Sequence, residues 1–115
     1  MTWEELQKYL KGKVFLIGLT FISEKGTLIE QYQTHGTVKD LTNDGIFKIE
    51  REDSTVFQMP YDKDTIRKAD KGEYREKSTG QIIKDPEYIM TWEITVSEND
   101  NINEIKDVGF VSIGG

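Results

Sequence analysis

His35 is the sole histidine of the chain and stands in the stretch THGTVKDLTNDGIFKIE, residues 34–50. A histidine can move protons near neutral pH, but only with a partner in hydrogen-bond reach and a nucleophile or substrate proton to act upon. No Gly-x-Ser-x-Gly elbow accompanies it. One histidine also cannot form the paired-histidine patterns of many metal sites. No catalytic residue is therefore assigned. As a candidate ligand-binding residue, His35 is joined by Tyr32 and Trp92; its other reading is a polar strand residue with no special role. Gly36 beside it marks a β-bulge rather than a phosphate cradle.

Carboxylates offer the next chemistry. EREDS, residues 50–54, crowds Glu50, Glu52 and Asp53 around a hairpin tip. Like charges at close range raise one another's pKa. Paired carboxylates can then do acid–base work, but only in a substrate cleft. On a hairpin tip the functional reading is a protein-binding patch for a basic partner. Asp62, Asp64, Asp70 and Glu73 fall on the first, third, ninth and twelfth positions of a calcium loop. The sixth position needs glycine and holds Arg67, and Pro60 interrupts the helix that should lead in. A solvated loop of mixed charge is the reading, and neither metal nor cofactor is assigned.

Trp3, Tyr9, Tyr32, Tyr61, Tyr74, Tyr88 and Trp92 are spread along the chain. A closed barrel would gather some of them around an apolar or nucleotide-like ligand. They serve equally as plain core. Basic residues do not interleave with them as a nucleic-acid groove requires.

The elements that must carry these residues are mostly strands. MTWEELQKYLKGK opens with a helix over 2–11: Thr2 caps it, Glu5 completes a capping box, and Gly12 stops it. KVFLIGLTFIS (13–23) is apolar on both faces, with Gly18 marking a bulge or bend. TLIEQYQTHGTVKDL (27–41) reads as a long strand. TNDG (42–45) is a hairpin signal, answered by IFKIERE and TVFQMP. Residues 61–71 are too polar for a central strand, and Ile66 and Ala69 pin one helical turn to the core. GEYREK and GQIIKD form a hairpin around STG. PEYIMTWEITV (86–96) puts Tyr88, Met90, Trp92, Ile94 and Val96 on one face. Residues 97–115 read as an acidic loop and C-terminal extension, with a last short strand in GFVSIGG or none. Short turns make neighbouring strands antiparallel.

Composition sets the bounds. The chain has 115 residues and a net charge of −6, and residues 97–115 carry half of that excess. Leu, Ile, Val and Phe make up about a quarter of it, and 13 of these are isoleucine, which favours strands. The absence of cysteine excludes disulfides, thiol nucleophiles and thiolate metal sites. No basic stretch followed by an apolar run opens the chain. The most apolar stretch, VFLIGLTFI, falls short of the roughly 18 residues of a membrane span. The acidic balance opposes binding to phosphate backbones. A cytoplasmic chain, with no membrane and no nucleic-acid partner, is the expectation. Its oligomeric state is not fixed by these residues.

GTVKDLTNDGIFKIEREDSTVFQMP resembles the barrel core of Sm-like and other SH3-like small barrels, and the helix before the first strand fits the Sm-like order over residues 2–60. Of the Sm-like RNA-binding residues only a loose echo stands in DLTND, so RNA binding is not carried over. The later marks GEYR, STG, DPEY and TWEI resemble small uncharacterised bacterial single-domain proteins, some of them immunity-protein-like. That resemblance implies a protein-binding role and names no residue.

The fold expected is mainly β: a small antiparallel barrel or strongly curved sheet of six to seven strands with one N-terminal helix, one domain over 1–96. The function expected is non-enzymatic protein binding through an acidic surface, with an immunity or antitoxin-like role as its concrete form. The alternative is a small barrel binding an apolar or nucleotide-like ligand inside.

Overall fold

A computed structural model describes residues 1–111. The elements follow in chain order. Helix α1 (Trp3–Leu10) precedes β1 (Val14–Ser23), β2 (Leu28–Leu41), β3 (Ile46–Glu50) and β4 (Val56–Pro60). A 3₁₀ turn (Lys63–Thr65) leads into β5 (Ile66–Lys68), then β6 (Glu73–Arg75), β7 (Ile82–Lys84), β8 (Tyr88–Val96) and α2 (Ile102–Val108). Six strands form one sheet in the order β4-β3-β2-β1-β8-β5, and β6 with β7 forms a separate hairpin. The helical turn expected near Ile66 is shorter, and Ile66 itself begins β5, which pairs with β8.

The sheet is mixed rather than antiparallel, because β1 and β8 run parallel over Phe15–Ser23 and Tyr88–Val96. Tight turns impose antiparallel pairing only on strands adjacent in sequence. β8 returns to β1 after dozens of intervening residues, so its direction is free of that constraint. Nor is the barrel closed among the described residues. β4 and β5 are the sheet's two edges and do not pair with each other.

The sheet nevertheless curls strongly. At about 4.8 Å per strand a flat sheet would set β8 and β4 roughly 19 Å apart. Here the Trp92 ring of β8 lies 5.3 Å from Phe110, and the Phe110 N–H donates to the Gln58 carbonyl of β4 at 2.7 Å. Gly36 permits part of this curl. A Cβ there would run into the Glu50 carbonyl oxygen and lie 2.6 Å from the Ile49 side chain. Two residues on, a bulge between Val38 and Asp40 shifts the β2–β3 register.

The concave face is the core. Period two along β1 buries Phe15, Ile17, Leu19 and Phe21, and β8 answers with Met90, Trp92, Ile94 and Val96. Phe47, Ile49, Phe57 and Met59 complete the layer from β3 and β4. Fully burying each such side chain contributes about 1.5–3 kcal/mol. Thr2 caps α1 by accepting the Glu5 N–H, as the sequence indicates, and Leu10 seals that end of the core.

The segment expected as an acidic extension holds α2. Asn101 caps it by accepting the Glu104 N–H at 3.1 Å. Ile102, Ile105 and Phe110 pack against the core. Gly109 then meets Gln58 in a single parallel bridge along the edge strand. The rest of the possible last strand, residues 112–115, lies outside the described residues. No helix among the described residues is long and apolar enough to cross a membrane.

Candidate functional site

β2 carries two unlike faces past the site. Its register sets Tyr32 beside Leu19 and Thr34 beside Ile17 on the concave side, with Gln33 and His35 on the convex side. β3 pairs with β2 only from Thr37 onward, so the earlier half of that edge is open to other groups. The β6–β7 hairpin fills part of it. The Gln33 N–H donates to Ser78 Oγ at 3.0 Å, and Gln33 Oε1 accepts the Lys77 N–H at 2.7 Å. These bonds dock the hairpin tip and bring Glu76 over His35.

His35 is only 8% exposed and Glu76 only 7%. His35 Nδ1 lies 2.6 Å from Glu76 Oε2, while Glu76 Oε1 accepts from Thr79 Oγ1 at 2.8 Å. On its other side His35 Nε2 lies 3.4 Å from Glu52 Oε1. Glu52 Oε2 accepts from Gln81 Nε2 at 2.7 Å. A neutral imidazole has one N–H donor and can serve one of these carboxylates; the imidazolium has two and serves both. The buried Glu76 fixes the ring, and Glu52 meets it from the solvent side.

The three tip acids do not crowd one another as their spacing suggests. Glu50 reaches Lys39 at 3.6 Å. The Gln81 amide, and after it the His35 ring, hold the Glu52 carboxyl below its ordinary range. Asp53 accepts from the Thr55 hydroxyl at 2.6 Å and from the Thr55 N–H at 3.0 Å, and these bonds lower its pKa as well. Hydrogen bonds to the charged form thus outweigh mutual repulsion at the tip.

Between the acids, Arg51 turns toward α2. It donates to the Lys106 carbonyl at 2.9 Å and to the Asp107 carbonyl, and its Nε donates to Thr55 Oγ1 at 2.9 Å. A guanidinium on the last carbonyls of a helix satisfies groups that have no partner within the helix. Its flat side stacks over Phe57. Lys106 pairs with Glu30 beside the Tyr32 ring.

These pieces surround an open cleft of about 360 Å³, bordered by His35, Glu52, Asp53, Glu76, Gln81 and Lys106 among others. A second, about 450 Å³, shares His35, Arg51 and Glu52 and extends past Glu50 and Lys84. Glu52 is the ridge between them. Tyr32 also borders the first cleft, with its hydroxyl 3.4 Å from Arg51. Trp92 does not join this group. It lies on the concave face against Phe110, with its indole N–H buried and without a partner among the described residues. His35 and Glu52 come together as the sequence allows; Glu76, Thr79, Gln81 and Arg51 carried no local signal of their place here.

Among the described residues no group of three or more histidine, cysteine or carboxylate side chains is placed to hold a metal ion. Asp62 instead caps the 3₁₀ turn by accepting the Asp64 N–H at 3.0 Å. Comparison of the chain with protein-family models, with curated proteins and with solved structures found no match.

Proposed function

We propose that the chain is a non-enzymatic binding protein that takes a lysine or arginine side chain of a basic partner protein into the acidic cleft above His35. The observation that carries this reading is the tethering of Glu52. Its carboxylate is hydrogen-bonded to Gln81 and His35 and held ionised at the rim. A charge fixed in advance loses less freedom on binding than one on a mobile side chain. Asp53 is fixed in the same way by Thr55. An immunity or antitoxin-like role in the cytoplasm is the concrete form, with this face covering the basic cleft of a toxin.

The test is capture by the tagged protein from its native cells at low and high salt, read by mass spectrometry. A single stoichiometric partner lost at high salt is expected. It should also be lost when Glu50, Glu52 and Asp53 are all replaced by lysine, and weakened by Glu52→Gln, which keeps a hydrogen-bonding group at the rim but removes the charge. A partner bound equally by the lysine variant would remove the acidic cleft from the reading.

A second reading, binding of a small apolar or nucleotide-like ligand, is favoured by the polar groups that converge on these clefts. The interior expected to hold such a ligand is filled by Phe15, Phe21, Phe47 and Phe57, so this reading moves to the convex face.

A further inference from the structure

The chain has three arginines. Arg51 is committed to α2. The other two, Arg67 and Arg75, border one cleft on the convex face, and their exposed guanidinium groups make no ion pair and no hydrogen bond among the described residues. An acidic chain has no shortage of carboxylates to pair with them. Their shared cleft is therefore the feature to explain.

Register builds this cleft. Arg67 of β5 stands beside Ile89 of β8, and Ile89 stands beside Leu16 of β1. These side chains share the convex face. One step along, Gly18 lies between Thr91 and Gln33 and offers no side chain, so the row dips. Tyr74 and Arg75 of the β6–β7 hairpin stand above the dip. The cleft has a volume of about 260 Å³. Its floor is apolar at Leu16 and Ile89. Gln33 uses its oxygen on the Lys77 N–H, which leaves its amide nitrogen as a donor. Glu76 also borders the cleft, but both its oxygens are taken, by His35 and Thr79. An adjoining hollow shares Gly18, Gln33 and Thr91 and adds the cation of Lys77.

We infer that this cleft binds a small organic anion: a planar apolar body over Leu16, Gly18 and Ile89, with a carboxylate or phosphate group held by Arg67 and Arg75. Two unpaired guanidinium groups suit the planar, two-pronged recognition of an oxyanion. The apolar floor selects an anion that carries a hydrophobic group over a free inorganic ion. This site adjoins the His35 cleft through Glu76 but does not include Glu52, and it does not rest on the protein-binding reading.

The experiment is a titration of the intact protein with phenyl phosphate, benzoate and inorganic phosphate, followed by amide NMR shifts. Saturable shifts at Gly18, Gln33 and Thr91 are expected for at least one organic probe, with a Kd on the order of 1 mM, which the size of such probes sets. The tighter of the two organic probes assigns the anionic group. Arg67→Gln with Arg75→Gln should weaken that binding by roughly ten-fold or more. Gly18→Val should do the same by filling the dip. Its backbone is not left-handed, and a Cβ at this position would meet only Thr91, at 3.7 Å, so the strand accepts a side chain there. The inference is overturned by no saturable shift with either organic probe, or by affinity unchanged in the double arginine variant. Inorganic phosphate binding as tightly as phenyl phosphate also overturns it, since the apolar floor would then contribute nothing.

Discussion

His35 Nδ1 and Glu76 Oε2 lie 2.6 Å apart, both buried, across 41 residues of sequence. This pair fastens the β6–β7 hairpin to the main sheet. Removing one partner strands the other in a poorly solvated place, whereas removing both does not. His35→Ala and Glu76→Ala should each destabilise the fold by about 2–3 kcal/mol in urea denaturation, on the scale of a buried charge-assisted hydrogen bond. The double variant should fall well short of the sum, with a coupling of about 1.5 kcal/mol or more. Additive effects would show that the pair does not hold the hairpin.

Glu52 gives a pH prediction whose sign follows from the direction of its shift. Its folded pKa lies below its ordinary value of 4.5. The folded state therefore binds this proton less readily than the unfolded chain does. The stabilisation is present above pH 4.5 and is lost as pH falls through the folded value. Glu52→Gln removes this contribution, so the variant should lose less stability than the wild type on acidification from about pH 5 to about pH 3. The effect is small and salt-sensitive, because Glu52 is exposed. Parallel acid profiles of melting temperature for the two proteins would contradict it.

The strands, their turns and the two-faced character of the chain were legible from periodicity and turn residues, since each depends on neighbours in sequence. What pairs with β1 on its far side was not. Nothing local in PEYIMTWEITV states whether it lies parallel or antiparallel, and the answer sets the whole sheet order. Helix α2 did carry a signal: Asn101 with Glu104 three residues on is a capping pattern, and Ile102 and Ile105 share one face. Its seven residues and dense charge hid it. The separation of His35 from Trp92 is a matter of parity across paired strands. Tyr32 and Trp92 both flank Leu19, while His35 flanks Leu16. That relationship requires the register, which no single strand contains. Glu76 reached His35 only through the docking of a hairpin 41 residues away.

Gly36 should not tolerate a side chain. An alanine Cβ would collide with the Glu50 carbonyl, and backbone cannot give way as a flexible side chain can. Gly36→Ala should cost about 2–4 kcal/mol, or prevent folding, by forcing β2 and β3 apart. Gly18→Ala on the neighbouring strand serves as the control and should be near neutral. Equal melting temperatures for the two variants would refute the close approach of the strands.

Tyr88 and Tyr9 share a hydrogen bond of 3.0 Å between their hydroxyls. That bond, with burial next, pushes the Tyr88 pKa up to about 12 from its ordinary value of 10. The folded state thus keeps this proton longer than the unfolded chain. Its contribution is complete below pH 10 and declines as pH rises towards 12. Absorbance titration of the folded protein should show a late phenol step near pH 12. In Tyr9→Phe that late step should move to lower pH, and an unmoved step would separate the shift from Tyr9.

Arg51 should decide whether α2 stays docked. Its guanidinium bonds two carbonyls at the helix end while its face covers Phe57, a geometry that an ammonium cannot reproduce. Arg51→Lys should therefore free α2 almost as much as Arg51→Ala. Amide hydrogen exchange over residues 102–108 should accelerate by roughly ten-fold or more in both, on the scale of charge-assisted bonds worth about 1.5–3 kcal/mol each. Exchange in β1 and β8 should change far less, because their bonds do not pass through α2. Full protection of α2 in Arg51→Lys would show that apolar packing of Ile102, Ile105 and Phe110 is enough to hold the helix.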